Sequence, residues 1–148
     1  MQGSRRHRRP DRRRLGRRQV IVLDTHAWLW WRDRESSGLP PATRRAIDSA
    51  DRIGIAAISC FEVAVLARRG RVRLNYDVIE WIELSLSLPR IEMIALTPAI
   101  AARAGLLGDD FPGDPADRMI VASALSLGAP LVSKDERIKR SGIVHTIW

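Results

Sequence analysis

Residues 20–31 read VIVLDTHAWLWW: four aliphatic residues run straight into Asp24, and a threonine, a histidine and three tryptophans follow. A short run of aliphatic residues, two of them β-branched valines, reads as a strand buried on both faces, the kind found in parallel sheets. Ala27–Trp31 has the length of a brief helix. A strand that ends on a carboxylate has two explanations. Asp24 caps the helix that follows, or the strand end is a site and the charge holds something.

Outward from this stretch the same alternation recurs. Further strands are expected at Arg52–Ser59, Ile91–Leu96, 129–133 (APLVS) and 143–148 (IVHTIW). Between them fall helical patterns at Ala42–Ala50, 59–70 (SCFEVAVLARRG), Asp77–Leu88, Thr97–Leu107 and Pro115–Leu127, with a short helix in 134–142. Several open on serine, aspartate, threonine or proline and close on glycine, as helix ends do. Short strands alternating with longer helices define an α/β chain with a mostly parallel sheet of about five strands, covered on both faces. In such sheets ligands sit beyond the carboxyl ends of the strands, where the strand order reverses.

The 148 residues suit one domain. No apolar run approaches the roughly 20 residues of a membrane span. Cys60 is the only cysteine, so no internal disulfide forms and a reducing cytoplasm is the expected location. The first 18 residues hold nine of the 25 basic residues and one of the 17 acidic ones, so the remainder is charge-balanced. Residues 1–19 are therefore expected to be a disordered arginine-rich extension that touches nucleic acid through phosphates. The alternative is a start assigned too early, with the true one near Val20. Residues 20–148 carry the fold. A twin-arginine export signal needs an apolar stretch that Asp24 interrupts.

Five acids fall at strand ends or helix starts: Asp24, Glu62, Asp114, Asp117 and Asp135. Each has a structural explanation. Asp24 caps a helix; SCFE is a capping box in which Ser59 caps and Glu62 reaches back. DPAD is a helix start with Asp114 as cap, Pro115 first and Asp117 at the positive end, and Asp135 is a turn residue. Gathered at one edge of a sheet, however, carboxylates repel and raise one another's pKa. A divalent cation relieves that strain. Oxygen-only ligands favour Mg²⁺ or Mn²⁺ over zinc, and His7, His26 and His145 are scattered. Acid-held ions of this kind serve phosphodiester hydrolysis.

The segments LDTHAWLW (23–30), ISCFEVAVLARRGRV (58–72), FPGDPADRMIVASALSLGAPLVSKDERI (111–138) and VHTIW (144–148) resemble PIN-domain ribonucleases, in particular the VapC toxins of type II toxin–antitoxin pairs. The resemblance covers residues 20–148. It implies a three-layer α/β/α sandwich and a metal-dependent endoribonuclease that cuts RNA. It carries the metal and catalytic acids onto Asp24, Glu62, Asp117 and Asp135. Asp114 is an extra acid of the DPxDR subgroup. Ser133 replaces the family's usual threonine and keeps the hydroxyl, and Thr25 is a further candidate beside the site. Arg118 either orients Asp117 through a bidentate pair or lies on the helix surface. The implied partners are RNA and a small antitoxin that wraps an apolar groove and directs a basic side chain at the acids. The assembly is a homodimer or a toxin–antitoxin hetero-oligomer, with no membrane contact.

Trp28, Trp30 and Trp31 cannot all face one core from a short helix. Two are core and one is rim, or they form an exposed patch for the antitoxin or a second copy. Cys60 and Phe61 are expected in the core. Three other functions compete. A non-catalytic RNA-binding module would have lost acids that are intact here. A PIN-domain processing nuclease that is not a toxin would keep them. Phosphoryl transfer on an aspartate would need a second aspartate two residues after Asp24, where His26 stands, or an acid pair beside it.

Overall fold

The structure, a computed structural model, describes residues 18–36 and 38–148. Its strands are β1 (Val20–Leu23), β2 (Arg52–Ala56), β3 (Ile91–Ile94), β4 (Leu131–Val132) and β5 (Thr146–Ile147). All pair in parallel, in the order β3-β2-β1-β4-β5. The chain builds outward from β1 to β3, then crosses back over the sheet to begin β4 on the other side of β1. The order therefore reverses between β1 and β4, and the crevice between their carboxyl ends is where an open α/β sheet binds ligands.

Alternation along the strands produces two cores. Ile21, Leu23, Ile53, Ile55 and Val132 point to one face and pack with Trp28, Trp31, Ile47 and Trp81. These come from α1 (Thr25–Arg32), α2 (Pro41–Ser49) and α4 (Val78–Leu86). Val22, Ala56, Ile94 and Leu131 point to the other face and pack with Ile100, Ile120, Val121 and Ile138. Those belong to α5 (Pro98–Gly105), α6 (Pro115–Ser126) and α7 (Glu136–Ser141). The result is the three-layer sandwich, and the sheet is wholly parallel.

Local chemistry sets the helix ends. Asp77 and Thr97 cap α4 and α5 by accepting from the backbone N–H of Ile79 and Ile100. Gly142 follows α7 at φ 66°, a left-handed turn that a side chain would strain.

Three expectations change, and one choice left open is decided. Strand β2 ends at Ala56, and α3 (Ala57–Arg68) begins there rather than at Ser59. The earlier start sets the helix phase: Ser59 and Val63 turn inward, while Phe61 is 64% exposed and is not core. Cys60 is half-buried against the first core. Of the two arrangements open for the tryptophans, the structure takes the one with two in the core and one at the rim: Trp28 and Trp31 are buried, Trp30 reaches the rim, and there is no exposed patch of three. Finally, the extension expected over 1–19 lies outside the described residues as far as position 17. Gln19 belongs to the folded edge instead: its N–H donates to Asp51 Oδ2 at 2.7 Å and its carbonyl accepts from the Asp51 and Arg52 N–H groups.

Candidate active site

Beyond the ends of β1 and β4 lies a cleft of about 350 Å³ lined by Asp24, Glu62, Asp114, Asp117 and Asp135, with Thr25, His26 and Lys134. Five acids far apart in sequence arrive from four elements. Asp24 closes β1 and caps α1, accepting from the Ala27 N–H at 2.8 Å. Glu62 comes from α3. Asp114 caps α6 and Asp117 stands in its first turn. Asp135 follows β4 and caps α7.

The capping explanations are correct for Asp24, Asp114 and Asp135, yet they do not compete with the site. A cap leaves one carboxylate oxygen directed outward, and all three project into the same cleft. The capping box at SCFE does not form, because Ser59 sits inside α3 rather than before it and the N-cap residue, Ala56, offers no side-chain bond. Glu62 instead accepts from Thr25 Oγ1 at 2.6 Å, and Thr25 lies 3.2 Å from the buried Ser59 hydroxyl. Ser133, also buried, bonds to the Asp24 carboxylate and accepts from the Asp135 N–H at 3.2 Å. Thr25 and Ser133 thus hold two of the acids in place.

Each acid's charge is felt by others. Burial raises the Asp24 carboxyl above its ordinary range, against hydrogen bonds from Ser133 and the Ala27 N–H, while the charge of Asp135 adds to the rise. Glu62 is raised by burial and by the charges of Asp114 and Asp24, against the bond from Thr25. Asp117 is pushed to about 7 by burial and then by Asp114, Glu62, Asp135 and Asp24 in turn. Asp135 goes the other way. Burial raises it, but the side-chain and backbone bonds from Arg137 outweigh that and hold it low.

Two residues were not singled out from the sequence. Arg137 is 3.1 Å from Asp135 Oδ2 and 4.0 Å from Asp117 Oδ2, so it spans two of the acids. A signal was present: an arginine in the first turn of α7 opposes the helix dipole and needs an acid to justify it. Lys134 lines the cleft itself. Arg118 needs correction. It does not orient Asp117; its guanidinium donates to the carbonyls of Ala104 (3.0 Å), Leu107, Phe111 and Pro112 and stacks on the Phe111 ring, which ties the loop before α6 to α5.

The donor set fits a hard cation. It is made of carboxylate and hydroxyl oxygens with one histidine, and mutual repulsion gives it a reason to take up positive charge. Among the described residues no three histidine, cysteine or acidic side chains stand close enough together to hold a metal ion as placed. Mg²⁺ does not require three, since it keeps several waters and takes one or two carboxylates.

A pH prediction follows from Asp117. Its folded pKa of about 7 lies above the unfolded value near 3.9. The folded state therefore binds the proton more tightly, and the stability this contributes is complete below about pH 4 and lost as pH rises to about 7. In EDTA the thermal midpoint should fall across that interval. Added Mg²⁺ should raise the midpoint more at pH 8 than at pH 5, because binding must displace the Asp117 proton at the lower pH. A midpoint that climbs from pH 5 to 7 in EDTA would contradict the coupling.

A parallel sheet of order 3-2-1-4-5 with acids gathered at its reversal point defines a PIN-type nuclease fold. The PIN domain matches residues 21–143, and the chain belongs to that family. It is 40% identical over 131 residues to Ribonuclease VapC22 of Mycobacterium tuberculosis (strain ATCC 25618 / H37Rv), a match that spans 87% of this chain and 98% of that protein. Among solved structures it resembles VapBC-1 from nontypeable Haemophilus influenzae and DNA-bound VapBC from Salmonella typhimurium. Each has a TM-score of 0.65 and 18% identity, covering 87% of this chain and 97% of the other. At that identity the likeness is one of fold. Among the described residues no helix is long and apolar enough to cross a membrane.

Proposed function

We propose that this chain is an endoribonuclease that works with Mg²⁺ or Mn²⁺ in the cytoplasm, as the toxin of a VapBC-type pair. The observation that carries the reading is the gathering of Asp24, Glu62, Asp114, Asp117 and Asp135 around one cleft, where burial and then the charges of the other four acids push Asp117 to about 7. The 40% identity to a protein named as a ribonuclease supports the choice of RNA.

A divalent cation bound there would supply a positive charge for the scissile phosphate and the leaving oxygen. Asp24, Glu62, Asp117 and Asp135 would surround it, one or two of them as direct ligands and the others through its waters. Thr25 occupies Glu62 Oε1 and leaves Oε2 for the cleft. Ser133 fixes the Asp24 carboxylate. Asp117 would release its proton to act as a ligand, and Asp114 adds negative charge beside it. Arg137 restrains Asp135 through the 3.1 Å ion pair. The antitoxin would seat in the groove of about 1000 Å³ that shares His26 with the cleft and is floored by Leu29, Trp30, Leu66, Val72, Leu74 and Trp81.

The purified full chain, freed of any partner, should make internal cuts in single-stranded RNA with Mg²⁺ or Mn²⁺ and stop in EDTA. Cleavage that persists in EDTA would refute the metal mechanism. Expression alone should arrest growth, and co-expression of the small protein encoded beside it should restore it. Harmless expression of an active nuclease would make the chain a processing enzyme instead.

A further inference from the structure

One cation in the wall of the cleft is not held by the acids. Lys134 lines it with Asp24, Glu62, Asp117 and Asp135, yet the ion pairs found among the described residues belong to Arg34, Arg52 and Arg137. The Lys134 ammonium lies instead over the Trp30 ring, 4.7 Å from its centroid. That ring is fixed. Gly38 packs so closely on it that there is no room for a Cβ. His26 and Trp148 tilt against it at 5.5 and 5.7 Å between centroids. The Trp148 side of this shelf is open, since the residue is 42% exposed.

A lysine parked on an aromatic face, with a second, open ring beside it, offers one positive charge and one stacking surface at the edge of a phosphate-cleaving cleft. Single-stranded RNA presents the complementary pair, a phosphate and a base, in every nucleotide. We propose that His26, Trp30, Lys134 and Trp148 form a nucleotide subsite next to the scissile position, in which Lys134 binds the phosphate and Trp148 stacks on the base. The proposal rests on the ribonuclease reading and deepens it. RNA suits the shelf because each nucleotide brings both a phosphate for Lys134 and a base for Trp148.

The test is steady-state cleavage of a 12-nucleotide single-stranded RNA by the full chain with Mg²⁺. Lys134→Met keeps the aliphatic stem on Trp30 and removes the charge. It should raise KM about tenfold with kcat within threefold of the parent, and it should lower the slope of log KM against log salt by about 0.7, the loss of one phosphate contact on a single strand. Lys134→Arg should recover most of the loss. Trp148→Ala should raise KM about tenfold with the salt slope unchanged, and Trp148→Phe should fall between. Parent KM in both Lys134→Met and Trp148→Ala overturns the subsite. So does a fall in kcat with an altered Mg²⁺ requirement, which would place Lys134 in the metal site. Normal cleavage combined with escape from the antitoxin would assign the shelf to the protein partner. A folded parent that cuts no RNA would sink the ribonuclease reading itself, and the subsite with it.

Discussion

Asp24→Asn should lower kcat for RNA cleavage by about 10³-fold or more while leaving the thermal midpoint in EDTA at least as high as the parent's. The size follows from the place of the charge. Removing one preorganised electrostatic contact from an active site typically costs 10²–10³ in kcat, and here the lost group would also be a metal ligand. The stability argument runs opposite to the usual expectation for a buried residue. Asparagine keeps the shape and remains a good N-cap, so the bond from the Ala27 N–H survives. What disappears is a carboxylate whose burial and neighbours disfavour its charged form. Full activity in the variant would reduce Asp24 to a cap. A large drop in midpoint with activity lost would leave the metal role undecided by this residue, and Asp117→Asn, on a separate element, would then decide it by the same two readouts.

The fold was legible in the sequence because its strands are short, central and aliphatic. Val20–Leu23 is buried on both faces, and its pattern cannot be mistaken for an amphipathic helix. The boundary that failed is the one after β2. RIGIAAIS is apolar throughout, so nothing in it marks where the period changes from two to 3.6, and the serine that looks like a cap is a buried helical residue. That three-residue shift is why Phe61 faces outward and why Glu62 answers Thr25 rather than Ser59.

The acids were legible for a different reason. Asp24, Asp114, Asp117 and Asp135 sit where a helix start follows a strand or loop, and parallel topology brings those starts to one edge; Glu62 joins them from the second turn of α3. Their partners were not. Arg118 and Arg137 are both arginines one or two positions after an acid, and sequence spacing cannot tell them apart. Arg137 grips its acid because α7 is short and the side chain folds back over the first turn. Arg118 turns away because one carbonyl of α5, Ala104, and three of the loop before α6 compete for it. Tertiary geometry decides between two locally equivalent choices.

Trp28→Ala should destabilise the protein by about 3–5 kcal/mol, the range for removing a buried large aromatic, out of a total that is typically 5–15 kcal/mol. The side chain is wholly buried in the first core, and its ring meets Trp81 at 5.0 Å between centroids. It joins α1 to α4 beneath the strand end that carries Asp24. Trp28→Phe should cost far less, about 1–2 kcal/mol. Phenylalanine keeps the aromatic contact, and Trp28 Nε1 has no hydrogen-bond partner among the described residues, so no bond is broken. Trp31 differs: its Nε1 donates to Asp48 Oδ1 at 2.9 Å, so Trp31→Phe should lose both volume and a bond. Trp30→Ala, at the rim, should leave the protein folded. Urea denaturation of the four variants separates these cases, and equal losses for Trp28→Ala and Trp30→Ala would show that α1 is seated differently. The distinction governs how growth assays are read. Loss of toxicity in Trp28→Ala reports an unfolded core, whereas a folded Trp30→Ala protein that ignores its antitoxin reports a contact, and because Trp30 also seats Lys134 its cleavage should show the raised KM expected of Lys134→Met. Of the three tryptophans in the helix, Trp30 is the one whose substitution can test partner binding.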